Sequence, residues 1–111
     1  MNNLNSVLLE GNLTEDPIVG ITPEGSSFCF FRISSNRFFK YDEKIQMETS
    51  HFDVEVYDKL AELCFAELKK DRGVRVVGRL HQEYSLDADG ITESRVKIVG
   101  DHVEFKQVPK A

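Results

Sequence analysis

The residues able to do covalent or metal chemistry are few in this chain, and their spacing argues against such chemistry. Cys29 and Cys64 lie far apart, with neither a CxxC spacing nor a partnered histidine, so a zinc site or a disulfide framework finds little support. The three histidines are scattered, and each reads as an ordinary strand or surface residue. Glu15 and Asp16 precede Pro17 and read as a turn rather than as an acid and base pair. There is no nucleophile motif and no phosphate loop, so the chain reads as a non-enzyme without cofactor or metal. What remains is non-covalent. In "SFCFFRIS" (27–34), Cys29, Phe31 and Ile33 form one face of a strand while Phe28, Phe30, Arg32 and Ser34 form the other. A half-exposed sheet would carry polar residues on one side, so the Phe28/Phe30/Arg32 face is either covered by a partner or is a binding surface.

The elements that must position these residues belong to a small protein. At 111 residues and 41% hydrophobic content the chain fits one domain, near the lower end of what buries a self-sufficient core. Fourteen Lys and Arg stand against nineteen Asp and Glu, so no chain-wide basic field draws it to phosphates. Any affinity for nucleic acid must come from a local patch. No apolar run is long enough to cross a bilayer, and the polar start "MNNLN" is no signal peptide. A cytoplasmic protein with reduced thiols and no membrane partner is expected.

Strand-like alternation dominates the chain. In "VLLEGNL" (7–13), Val7, Leu9, Gly11 and Leu13 share one face, and the inward glycine marks a bend or a close backbone approach. Residues 14–17 end that strand. After a turn at Pro23, Glu24 and Gly25 comes the second strand, "SFCFFRIS". "NRFFKYDEKIQMET" then mixes charges without a clear period, as an extended loop or a frayed hairpin tip would. "HFDVEVY" (51–57) is the third strand, with Phe52, Val54 and Val56 inside and His51, Asp53, Glu55 and Tyr57 outside. From Asp58 the period becomes helical, with Leu60, Leu63, Cys64 and Leu68 on one side, Asp58 as N-cap, and Lys69 and Lys70 in the last turn. "GVRVVGRLHQEY" supplies a fourth strand with an internal Gly78; an Asp-Gly turn and "SRVKIVGDHVEF" supply the fifth. The order is all-β with one helix between strands three and four. That is the pattern of the OB-fold, a five-stranded Greek-key barrel.

The chain also resembles a known family. "VLLEGNLTEDP", "RISSNRF", "YDKLAEL", "LKKDRGVRVVGRL" and the late "VEF" are similar, in order and spacing, to the DNA-binding domain of bacterial single-stranded DNA-binding proteins. The similarity covers about 5–105 and implies a single OB-fold domain over 1–111. Its most specific part is the first strand, through Gly11, Asn12, Leu13, Asp16 and Pro17. The resemblance implies sequence-independent binding and protection of single-stranded DNA in replication, recombination and repair. Such binding calls for aromatic rings that stack on bases and cations that follow phosphates. The family's aromatics after the second strand, at the end of the third and in the last hairpin fall here on Phe38 with Phe39 beside it, on Tyr57, and on Tyr84. Arg32, Arg37, Lys40, Lys59, Arg75 and Arg79 are then the phosphate partners. Phe30 either joins them or is buried, with Phe28, at a subunit interface, since the resemblance also implies a homo-oligomer, dimer or tetramer.

Departures from the family pattern point to weaker binding. His51 stands where an aromatic is usual, Asp53 where a basic residue is common, and His81 and Glu83 where arginines are frequent. Glu55 adds a further negative charge beside Asp53. Each lost phosphate contact lowers affinity and its salt dependence. The sequence stops at "KQVPKA" without the family's flexible linker and acidic tip, so tail-mediated contacts with replication and repair proteins are not inferred. The alternative expectation is a tailless OB-fold adaptor of the replication or primosome machinery that binds DNA weakly.

Overall fold

In the computed structural model, which describes residues 1–107, strand β1 (Val7–Leu13) shows the expected alternation. Leu13 is buried and Val7, Leu9 and Gly11 are half-buried, while Leu8, Glu10 and Asn12 are exposed. Residues 108–111, the end of the expected domain span, lie outside the described residues. β1 runs antiparallel to β5 (Gly73–Leu86), from Val7 opposite Gly78 to Asn12 opposite Gly73. At its end β1 also meets β3 (Ser27–Tyr41), through Asn12 opposite Ser34 and Leu13 opposite Ile33. Gly11 sits at this corner. A Cβ there would lie 2.2 Å from the carbonyl oxygen of Ser34, so the absent side chain is what lets β1 come close enough to β3 to close the sheet.

The sheet continues from β5 to β6 (Thr92–Phe105), then to β4 (Lys44–Tyr57), then to β3 and back to β1. The result is a closed five-stranded barrel, with helix α1 (Asp58–Glu67) between β4 and β5. This is the OB-fold expected from the sequence. β4 and β6 pair in parallel at only two positions, Val54 opposite Ile98 and Glu55 opposite Val99. A bulge at Val77 and Gly78 coils β5 over β6, and a Cβ on Gly78 would lie 2.2 Å from the Val99 carbonyl oxygen.

The barrel interior holds Leu13, Cys29, Phe31, Ile33, Val54, Val56, Val74 and Val76, sealed from below by Ala61 and Cys64 of α1. Burial pushes the Cys29 thiol up to about 11 and the Cys64 thiol up to about 12, so both remain protonated. They fill space as small hydrophobes.

Three expectations about the strands are corrected. A sixth strand, β2 (Ile18–Ile21), pairs along the outer edge of β3; its four residues include Gly20 and leave Ile18, Val19 and Ile21 exposed, so no apolar face announces it. Gly20 faces Phe28 so closely that a Cβ would lie 2.5 Å from the ring. The stretch 36–49 is neither a loop nor frayed: β3 and β4 pair without a break from Phe28 opposite Tyr57 to Tyr41 opposite Lys44. Asp42 and Glu43 close that ribbon with φ of 51° and 62°, the left-handed pair of a two-residue hairpin turn. Phe52 keeps its place in the alternation but is 39% exposed, because the barrel ends below it.

The helix also differs. Tyr57 occupies the N-cap position and no side chain caps the helix, while Asp58 lies in the first turn. Leu68 leaves the helix in an extended conformation that places its side chain in the core, so α1 stops at Glu67 and Lys69 and Lys70 fall beyond its last turn. Leu63 faces solvent; Ala61 and Cys64 are buried, and Leu60 packs half-buried against the core as expected.

Candidate functional site

Two ribbons rise from the barrel. Beyond Ser34 and His51, β3 and β4 continue as one arm; beyond Leu80 and Ile98, β5 and β6 continue as the other. Each arm is exposed on both faces along nearly all of its length, so its large side chains lack a core to enter. The second arm turns at residues 87–90, where the Asp87 carboxylate accepts from the amides of Asp89 and Ile91 and Gly90 takes a φ of 77°. That is the turn its Asp-Gly pair predicts.

Strand alternation sorts the expected site residues onto different surfaces. On the β3–β4 ribbon, Phe30, Arg32, Phe38 and Lys40 share a face with Asp53 and Tyr57 of the opposite strand; Arg37 and Phe39 project from the other face. Phe38 and Phe39 therefore cannot stack on the same base. Phe38 is 67% exposed opposite the exposed Met47, whereas the Arg37 guanidinium lies 5.0 Å from the centroid of the Phe39 ring. Phe30 is half-buried, paired with Ile18 of β2 and bordering Thr14 and Asp16. Tyr57 is also half-buried, at the foot of β4; at about 3.3 Å per residue it stands about 33 Å along the ribbon from Phe38's neighbour Met47. Tyr84, 68% exposed, stands on the second arm opposite Ser94. The aromatics thus mark a path across the molecule rather than one cluster.

Most of the expected cations already have carboxylate partners. Arg32 Nε donates to Asp53 Oδ1 at 2.7 Å, and this bond, with the carboxylate's charge, holds the guanidinium pKa above its ordinary value. Arg37 lies 3.6 Å from Glu48. Arg75 binds Glu10 at 2.9 Å and Glu104 at 3.5 Å on the barrel wall, and Arg79 meets Asp101 at 3.2 Å. Lys106 also binds Glu10, and it and Arg75 hold that carboxyl below the usual range. Among the described residues Lys40, at the tip of the first arm, and Lys59, on the first turn of α1, have no ion pair.

One charged residue of the site escaped the sequence reading. Lys97 of β6 is 7% exposed and its ammonium bonds both Glu55 of β4 and Glu83 of β5. Burial works against its charge, yet the two glutamates more than offset it and raise its pKa. Glu83 is held below its usual range by the same contact. Burial, and then the bond to Glu55, push the Tyr57 hydroxyl up. The two acids that read as losses to a phosphate groove therefore clamp three strands where β4 and β6 share only two ladder positions. A lysine inside "RVKIVG" was the available signal, since a charge in an apolar strand requires partners.

Among the described residues no three His, Cys, Asp or Glu side chains converge as metal ligands would, and no helix is long and apolar enough to cross a membrane.

Residues 4–106 match the profile of the "Single-strand binding protein family". A single-stranded DNA-binding protein of Aquifex aeolicus is 36% identical over 108 residues, covering 96% of this chain and 73% of the relative. Single-stranded DNA-binding protein 2 of Chlorobaculum tepidum is 33% identical over 107 residues, covering 95% and 72%. Among solved structures, a Plasmodium falciparum SSB complex with ssDNA superposes with a TM-score of 0.84 at 22% identity, over 96% of this chain and 98% of that one. A single-stranded DNA binding protein from Thermus aquaticus gives a TM-score of 0.82 at 24% identity, over 94% and 51%. At these identities the structural likeness concerns the fold.

Proposed function

This chain belongs to the single-strand binding protein family, and from that premise we propose that it binds single-stranded DNA without sequence preference. In this role it holds and protects exposed strands during replication, recombination and repair. The observation that carries the reading is the pair of projecting arms bearing exposed aromatics, Phe38 on one and Tyr84 on the other, with Lys40 unpaired beside Phe38 among the described residues. A folded chain has no packing use for rings so placed, and stacked bases have one. The site comprises Phe38, Tyr57 and Tyr84 as stacking rings and Arg32, Lys40 and Lys59 as phosphate partners, with Phe30, Arg37, Phe39, Arg75 and Arg79 flanking the path. The protein is one OB-fold domain over 1–111 with its core at about 5–105, works as a cytoplasmic homo-oligomer, and performs no catalytic step.

The test is fluorescence anisotropy of a labelled poly-dT oligonucleotide, with a duplex of equal length as control. Binding to the single strand alone, weakening as salt rises, is expected. Each stacked base is worth about 1–3 kcal/mol, so replacing Phe38 and Tyr57 together by alanine lowers affinity by about thirtyfold or more. An unchanged affinity would reject these two as stacking residues.

A second reading, an OB-fold adaptor that meets replication proteins and binds DNA weakly, is favoured by the ion pairs that occupy Arg32, Arg37, Arg75 and Arg79. Absence of poly-dT binding at low salt would select it.

A further inference from the structure

The second arm leaves the barrel where β1 ends. β1 pairs with β5 as far as Val7 opposite Gly78, and in that register the next steps would set Ser6 opposite Arg79 and Asn5 opposite Leu80. Residues 1–6 belong to no strand, so those backbone pairings are not made. The Asn5 side chain takes their place: its Nδ2 donates to the Leu80 carbonyl oxygen at 2.8 Å, and its Oδ1 accepts from the Leu80 amide at 2.9 Å. A carboxamide carries the same donor and acceptor as a peptide unit, so the pair reproduces one rung of an antiparallel ladder. The rung lies just past the Val77–Gly78 bulge that bends β5 over β6, and Leu80 is the residue beyond which the arm projects. On the other edge of the ribbon, Lys97 of β6 reaches Glu55 of β4. Among the described residues, these are the side-chain hydrogen bonds and ion pairs that join the arm's foot to the rest of the barrel.

We propose that Asn5 is a positioning residue for single-strand binding: it fixes the foot of the second arm beside β1 and so sets where Tyr84 meets a base. The inference rests on the single-strand reading and deepens it, by giving a role to a side chain whose amide is engaged by the protein's own backbone. Tyr84 stands four residues beyond Leu80, about 13 Å at about 3.3 Å per residue, so a tilt of about 10° at the foot carries the ring about 2 Å from its stacking contact. The two Asn5 bonds are exposed, and water replaces them with little loss of fold stability. What is lost with them is the single pose of the arm. When the arm is spread over several poses, apparent affinity falls in proportion to the fraction of chains whose arm is in the binding pose. Lys97 and Glu55 still hold the opposite edge, so the loss is partial.

The experiment compares the wild-type chain, Asn5→Ala, Tyr84→Ala and the double variant by three readouts: anisotropy of a labelled poly-dT oligonucleotide, hydrogen exchange of the Leu80 amide by NMR without DNA, and thermal unfolding. Asn5→Ala is expected to speed exchange at Leu80 by about fivefold or more and to weaken poly-dT binding by about threefold or more, with the unfolding transition nearly unmoved. Tyr84→Ala is expected to weaken binding by about fivefold or more, and in its presence Asn5→Ala adds no further loss, because the ring it would misplace is gone. An equal loss from Asn5→Ala with and without the Tyr84 ring would reflect a general structural role and overturn the positioning. So would full affinity in Asn5→Ala once Leu80 exchanges faster, or unchanged affinity in Tyr84→Ala. An unprotected Leu80 amide in the wild-type chain would show that the rung does not form in solution. If the wild-type chain did not bind poly-dT, the single-strand reading would fall, and the positioning role with it, even with Leu80 protected.

Discussion

The barrel and the arms are built from the same strands, yet they obey different constraints. Within the barrel, Phe31, Ile33, Val54, Val56, Val74 and Val76 are almost wholly buried, and Gly11 and Gly78 sit where neighbouring backbone leaves no room for a methyl group. A few residues further along the same strands, Phe38, Ile45, Met47, Tyr84 and Val96 are more than half exposed. Interior packing specifies the first region; cross-strand pairing and a tight turn suffice for the second. The difference explains how a small OB-fold presents rings to a ligand: strands that outrun their core carry their hydrophobic alternation into solvent.

That contrast is testable by substitution. Phe31→Ala should produce the largest effect, a loss of about 3–5 kcal/mol in urea unfolding, because the void it leaves is enclosed on all sides. A loss below about 1 kcal/mol would show that the barrel interior collapses around the vacancy. Gly11→Ala comes next, at about 3 kcal/mol, since its Cβ would meet a backbone oxygen rather than a movable side chain. An alanine here without cost would mean that β1 does not close against β3 in solution.

Lys97→Met tests the join between the two regions. It leaves Glu55 and Glu83 without their cation and should cost about 2 kcal/mol at neutral pH. Glu83 has its folded pKa depressed by Lys97, so the stability it contributes is fully present above its unfolded value and is lost as pH falls through the folded one. The gap between wild type and variant in thermal unfolding should therefore narrow in acid; a gap that widened would contradict the clamp. The smallest effect belongs to the arms. Phe38→Ala and Tyr84→Ala should each leave unfolding free energy within about 0.5 kcal/mol of wild type. A larger loss from either would show that the ring packs on its own fold.

Much of the barrel was legible in the residues because period-two alternation with β-branched and aromatic side chains is enforced wherever one face is buried. "HFDVEVY" and "GVRVVGRL" show it, and the inward glycine of "VLLEGNL" marks the closing corner. β2 and the first arm were not legible, for the same reason inverted: Ile18, Val19 and Ile21 face solvent, residues 36–49 bury little, and Asp42–Glu43 closes a hairpin without the Asn-Gly or Asp-Gly pair that advertises one. Helix α1 was legible in existence but not in its ends, where Leu68 abandons the helix to enter the core.

The linear order of residues determined the strand pattern, the closing glycines, the acidic balance and the family, because each depends on side-chain type and local spacing. Only the tertiary structure decided which charges meet. Asp53 reaches Arg32 across a strand pair of separation twenty-one, and Lys97 gathers Glu55 and Glu83 from two other strands. Those distances come from register and barrel closure, so acids that read along the chain as losses to a phosphate groove prove to be partners, one paired with an arginine and two clamping three strands at the foot of the second arm.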